Sequence, residues 1–263
     1  MKHASATAPS IRGGAQGAVA LIRARGLSKT YPTADSGEVT ALRSVEFEIF
    51  HGEFVSVVGQ SGCGKSTLLK LLAGLLPATS GTVELDGRPL SGPSPEAAVV
   101  FQSPVLLPIE FRRLARSRYR QSALELLDMA GLREFARRYP FELSGGMQQR
   151  VALVRALVQD PRLLLMDEPF GALDAMTREL MNIELMRIWS RSRKTVLFIT
   201  HSIAEAIFLS DRVIAMTPRP GRIADIVTID LPRPRELAII NTDRFGRYVA
   251  HLRPLLEAQG GAF

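Results

Sequence analysis

Apolar and charged positions alternate over residues 45–49 (VEFEI), the period of a half-exposed strand. After a turn at 51–53, residues 54–58 (FVSVV) form a nearly continuous apolar run, as in a strand covered on both faces. A glycine-rich loop follows, then a helical pattern over 65–76. Further strands are predicted at 81–85, ending in the Asp86-Gly87 turn, and at 97–101, 163–166, 195–200 and 212–216. Helices are predicted at 117–130, where Leu124, Leu127 and Ala130 share a face, and at 144–158 with Ser144 as N-cap. Residues 175–190, 202–209 and 241–257 also read as helices, the last without a catalytic residue. Strands and helices alternating in this way predict an α/β fold with a mainly parallel sheet. Residues 1–19 are small and polar without periodicity and predict a disordered tail; the apolar stretch at 18–22 is too short for a secretory signal. No internal repeat is visible.

The chain has 263 residues, 46% hydrophobic and 22% charged, in the range of an ordinary globular protein with a substantial core. A single cysteine excludes an internal disulfide framework and a multi-cysteine metal site. No apolar run approaches the roughly 18 residues that span a membrane, so a membrane role requires another chain to cross it. The excess of 33 Lys+Arg over 26 Asp+Glu is carried mostly by Arg, lysines standing only at 2, 29, 65, 70 and 194. A solvated Arg-rich surface accounts for that balance without a nucleic-acid partner.

Two segments carry chemistry. Gly59, Gln60, Ser61, Gly62, Cys63, Gly64, Lys65, Ser66 and Thr67 match G-x-x-x-x-G-K-[ST] between a buried strand and an apolar helix. Glycines let successive N–H groups turn inward on phosphate oxygens, and the helix N-terminus adds its positive end. Lys65 would then reach the β/γ-phosphates and Ser66 would ligate Mg²⁺. Residues 163–168 are an apolar strand ending in Asp167 and Glu168. Beside a phosphate loop, one carboxylate can hold Mg²⁺ and the other can deprotonate an attacking water. Cys63, near the helix N-terminus, is expected to have a lowered thiol pKa if it is reactive, or else to be a small tolerated residue.

Residues 143–150 (LSGGMQQR), lying between these two segments, resemble the signature of ATP-binding-cassette (ABC) ATPases. Gln102 resembles that family's Q-loop glutamine, residues 172–174 (ALD) its D-loop, His201 its switch histidine and Tyr31 the aromatic that stacks on adenine. The resemblance spans about residues 20–230. It implies a phosphate-loop NTPase (RecA-like) core, with an antiparallel β subdomain near the N-terminus and an inserted helical subdomain over about 103–158. The ATPase domain would occupy 20–240, and 241–263 would form a C-terminal helix and tail. ATP and Mg²⁺ are the implied ligands. Two copies would close head-to-tail, Ser144, Gly145, Gly146 and Gln148 of one facing the phosphate loop of the other, with Asp174 at the contact. Glu168 would be the general base, His201 would bond the γ-phosphate, and Gln102, with Ser66 and Asp167, would sense or hold the metal.

Residues 216–223 (MTPRPGRI) and 231–235 (LPRPR) are similar to the nitrate/sulfonate/taurine importer subfamily. That implies a peripheral subunit on the cytoplasmic face of the bacterial inner membrane. Its partners would be a second copy, two integral-membrane permease subunits and, indirectly, an extracytoplasmic solute-binding protein. One departure stands out: residues 105–108 (VLLP) run directly into 109–113 (IEFRR), without the tryptophan-bearing stretch usual there, a loss of about ten residues or roughly three helical turns. The sequence therefore also admits an ATP-dependent dimerising module that does not couple to a permease. Arg112, Arg113, Arg116, Arg118 and Arg120 form a basic cluster in the same region, read as a solvated face or a contact with anionic headgroups. The insertions of nucleic-acid-associated relatives are not evident.

Overall fold

The computed structural model describes residues 19–35, 37–102 and 116–257. The expected tail, Val19 apart, and the expected short connection at 105–113 with Arg112 and Arg113 lie outside the described residues.

Two sheets organise the chain. The first 50 residues contribute β1 (Ala20–Pro32) and β2 (Glu38–Phe50), which pair antiparallel. The chain then enters β3 (Phe54–Val58), every residue of which is buried, and α1 (Lys65–Leu72). The hairpin of β4 (Ser80–Leu85) and β5 (Arg88–Pro89) returns to β1, completing a four-stranded sheet of order β2-β1-β4-β5. After β6 (Ala97–Val100) come α2 (Arg116–Met129), two short 3-10 turns and α3 (Gly145–Leu157). Next follow β7 (Leu163–Asp167), α4 (Ala175–Ser192), β8 (Thr195–Thr200), α5 (Ile203–Leu209) and β9 (Arg212–Met216). The described chain closes with β10 (Ile223–Thr228) and α6 (Asp243–Glu257). The second sheet has the order β10-β9-β3-β8-β7-β6, parallel except for β10 on β9.

Alternation along the central strands divides the core in two. Val55, Val57, Leu165, Leu197 and Ile199 join a cluster with Leu68 and Leu69 of α1 and with Ile22 and Leu27 of the antiparallel sheet. Phe54, Val58, Met166, Val196 and Phe198 join the opposite cluster, with Leu153 of α3, Leu185 and Trp189 of α4, Phe208 of α5 and Leu252 of α6. The result is an α/β sandwich with a phosphate-loop core, in agreement with the mainly parallel sheet expected from the sequence.

The 231–235 segment staples the far end of α5. Arg235 is buried and donates to the carbonyls of Ile207, Phe208 and Ser210, groups that a helix C-terminus leaves unpaired. Burial pulls its pKa down to about 10, so it remains charged at neutral pH. Arg233 donates to Asp211 and lies over the Trp189 ring, 4.3 Å from its centroid.

Candidate functional site

Parallel strands expose their carboxyl ends at one edge of the sheet, where such folds bind ligands. Three neighbouring strands end there in the candidate residues: β3 in the glycine-rich loop, β7 in Asp167 and Glu168, and β8 in His201.

The loop is shaped by close approach. Gly64, the N-cap of α1, has φ 101°, and a Cβ there would stand 2.7 Å from Leu42 Cδ2 and 2.9 Å from the Ala41 carbonyl oxygen. Only glycine meets both demands. With no side chain capping α1, its first N–H groups remain available for an anion. Lys65 is buried, and its Nζ donates to the carbonyls of Gly59 (2.9 Å) and Gln60 (3.1 Å), curling the loop over its own lysine. Thr67 lies 3.4 Å from the Tyr31 hydroxyl, which brings that ring to the rim of the loop; Lys29 Nζ stands 5.3 Å from the ring centroid.

Two carboxylates face the loop. Asp167 Oδ1 accepts from Ser66 Oγ at 3.2 Å. Burial pushes the Asp167 carboxyl above its ordinary range, with Glu168 adding to the rise and Ser66 and Lys65 opposing it. Glu168 has φ 44°, unusual outside glycine, while its N–H donates to the Ile199 carbonyl of β8. This turn places its carboxylate between two side chains: Oε1 lies 3.8 Å from Lys65 Nζ and Oε2 3.2 Å from His201 Nδ1. His201 is set in turn by its neighbours. Ser202 caps α5, and Thr200 Oγ1 donates to the buried Glu205 carboxylate while accepting from the Ser202 N–H.

The Gln102 amide nitrogen lies beside Gly171, where an added Cβ would stand 3.3 Å from it and 3.6 Å from Glu168 Oε2. Its carbonyl accepts from Gln149 Nε2 at 3.0 Å, so α3 is joined to the loop of Gln102. Ser144 is the N-cap of α3, accepting from the Met147 N–H. Gly146 approaches Thr177 of α4, whose N–H and hydroxyl donate to the Asp174 carboxylate. These bonds hold the Asp174 carboxyl below its usual range. Gln148 turns its amide back to the carbonyls of Pro140 and Leu143. The structure thus gathers Lys65, Ser66, Thr67, Asp167, Glu168, His201, Gln102 and Tyr31 around one loop. Ser144, Gly145, Gly146 and Asp174 stand together at the start of α3 and α4.

For Cys63 the structure supports the second expectation, a small tolerated residue, over a reactive thiol. It is 1% exposed, and burial pushes its thiol pKa up rather than down; the attraction of Lys65 is smaller. Desolvation outweighs the helix end, and the thiol is a small core residue under the loop.

Sequence reasoning missed the residues that hold the machinery. Gln149 and Glu205 act through partners on other elements or beyond their own turn. Arg219 and Gly221, in the turn between β9 and β10, support the phosphate loop from behind. Arg219 Nε donates to the Gly62 carbonyl at 3.3 Å, and Gly221 packs so closely against Cys63 that a Cβ would overlap its carbonyl oxygen. From sequence alone the 216–223 segment offers only a subfamily cue.

The sequence model of the family described as "ABC transporter" matches residues 42–171. A taurine import ATP-binding protein of Rhizobium johnstonii is 48% identical over 206 residues, covering 74% of this chain and 79% of that protein. A nitrate import ATP-binding protein of Synechococcus elongatus is 44% identical over 236 residues, covering 84% and 86%. Among solved structures, a dimeric bacterial ABC transporter cassette superposes with a TM-score of 0.69 at 32% identity, covering 80% of this chain and 100% of that one. A post-hydrolysis dimeric cassette bound to ADP and phosphate gives 0.67 at 30%, with the same coverages.

Proposed function

The chain belongs to the ABC transporter ATP-binding cassettes and is an ATPase, and from that premise we propose that it energises a bacterial importer of a small anionic solute such as nitrate, a sulfonate or taurine. Support comes from its likeness, over most of its length, to relatives named for taurine and nitrate import. No helix among the described residues is long and apolar enough to cross a membrane, so the solute path would belong to two permease subunits. A solute-binding protein outside the membrane would supply them, and the cassette would sit peripherally on the cytoplasmic face.

The observation that carries the catalytic reading is the Glu168 carboxylate, held at once by Lys65 and His201. The α1 N-terminus and the loop N–H groups bind the ATP phosphates, and Lys65 exchanges its loop carbonyls for phosphate oxygens. Tyr31 stacks the base. Glu168 takes the proton of the attacking water at a carboxylate oxygen, and His201, released from Oε2, donates to the γ-phosphate. Gln102 lies beside Glu168 to orient the water.

The donor set fits Mg²⁺. Ser66 and Asp167 present paired hard oxygens, and the half-buried Asp167 carboxyl, raised by desolvation and by Glu168, would gain from a cation beside it. When bound, the metal supplies charge neutralisation on the phosphates.

Ser144, Gly145, Gly146 and Asp174 of one copy complete the site of a second, head-to-tail. The division of the candidate residues into two groups and the likeness to dimeric cassettes both support this arrangement. The decisive assay reconstitutes the cassette with its permease pair and binding protein in proteoliposomes. ATP hydrolysis is expected to rise when the binding protein carries its anionic solute. Hydrolysis indifferent to the permease would favour the uncoupled dimerising module.

A further inference from the structure

The phosphate loop is tied to the C-terminal helix. Gln60 Nε2 donates to the main-chain carbonyl of Leu256 at 2.7 Å, across 196 residues of sequence. A carbonyl oxygen can only accept, so the amide nitrogen must be the atom that faces it. Leu256 lies in the last turn of α6, where carbonyls have no intrahelical donor. Gln60 supplies one.

The helix is firmly seated at this point. Phe245, Leu252 and Leu256 recur on one face and are all buried, in the same cluster as Phe208 of α5. Lys65 binds the Gln60 carbonyl from inside the loop while the Gln60 side chain binds α6 from outside. The residue is thus held on both sides, and its amide is directed away from the lysine that meets phosphate.

We propose that Gln60 is a positioning residue through which α6 holds the phosphate loop in its nucleotide-binding curl, so that ATP binding and the order of the α6 carboxyl end are thermodynamically coupled. This rests on the reading of residues 59–67 as the ATP site. Coupling is reciprocal: if the latch favours ATP, ATP must favour the latch.

The test is amide hydrogen exchange of the full chain with and without saturating Mg²⁺-ATP, alongside ATP affinity by calorimetry. In the native chain, ATP is expected to slow exchange over residues 252–257, a segment outside the phosphate loop itself. Gln60→Met keeps the length of the side chain and removes the donor. It is expected to weaken ATP binding about threefold to tenfold, the scale of one neutral hydrogen bond, and to abolish the ATP-dependent protection of α6 even at saturation. Gln60→Lys restores a donor of similar reach and is expected to recover that protection. Leu256→Ala keeps the accepting carbonyl but loosens its buried seat. In the Gln60→Met background it should cause no further loss of ATP affinity, because with the donor gone the position of α6 no longer reaches the loop. The proposal is overturned if the native chain binds ATP while α6 exchange is unchanged, or if the two losses simply add. A native chain that binds no ATP would instead overturn the nucleotide site itself.

Discussion

Glu168 holds an unfavourable backbone angle while its carboxylate meets both Lys65 and His201, so a change of a single side-chain atom tests its role. Glu168→Gln keeps the shape and removes the base, so hydrolysis is expected to fall by about 10²–10⁴-fold while ATP still binds. Light scattering should then show an ATP-dependent dimer, because closure persists when the bond is not cleaved. Asp167 makes the opposite kind of prediction, about stability. Burial raises its folded pKa above the unfolded value, so its contribution is most favourable below the ordinary Asp range and is lost as pH rises through the raised pKa. At neutral pH the ionised carboxylate is therefore a burden on the nucleotide-free fold. Asp167→Asn is expected to raise the melting temperature of the nucleotide-free protein at pH 7–8, with the gain shrinking as pH is lowered, while Mg²⁺-dependent hydrolysis falls about 100-fold or more. Calorimetric scans across pH, paired with phosphate release, check both halves. Residues such as Asp167 and Lys65 were legible because their chemistry is written in contiguous sequence. Gln149 was not, because its partner is the Gln102 carbonyl, 47 positions away, and nothing local distinguishes it from its neighbour Gln148.

The same contrast operates among elements. Strands β8 and β9 were legible to the residue, because a short continuous apolar run has one way to be covered on both faces. The 13-residue β1 was not, since its pairing with β2 shifts register at Ala24/Leu27 and again at Leu27/Lys29, and each bulge breaks the two-residue period. The edge strand β10 is only partly buried and pairs on one side, so it carries no strong pattern either. Helix α1 ends at Leu72 rather than at 76 because Gly74, at φ 69°, turns the chain out of the helix. The turn between β9 and β10 shows what an illegible element can control. Its Gly221 exchanges backbone hydrogen bonds with Ala41 and Arg43 of β2 while packing under Cys63, so one residue joins both sheets to the phosphate loop. Gly221→Ala would drive a methyl into the Cys63 carbonyl and to within 2.9 Å of Met216 Cε. Overpacking of this kind costs about 1–3 kcal/mol, and here the loop is the part able to yield, so ATP affinity is expected to fall about tenfold or more. Calorimetric titration with ATP, with circular dichroism to verify the fold, measures that loss.

At the scale of the whole molecule, the candidate residues of one chain fall into two groups. The phosphate loop, the acidic pair and His201 meet at the carboxyl edge of the central sheet, whereas Ser144 and Gly146 stand at the start of α3 beside Thr177 and Asp174 of α4. If each working site joins the first group of one copy to the second group of another, defects in the two groups must complement. Lys65→Ala disables the phosphate loop, and Ser144→Arg fills the signature with a bulky charge. Each variant alone should lack ATPase activity. In a mixed pair, one site receives both defects and the other receives neither, because head-to-tail pairing always joins unlike groups. With half of the dimers mixed and one of two sites intact in each, about a quarter of the native activity should return on mixing, if sites act independently. Strict cooperation between sites would lower that figure, while the appearance of an ATP-bound mixed dimer on native gels would remain. Sites contained within single chains would give no recovery and no ATP-dependent mixed dimer, and the two groups would then need a different explanation. Complementation is the sharper measurement because it tests which copy supplies each group, whereas dimerisation alone tests only that two copies meet.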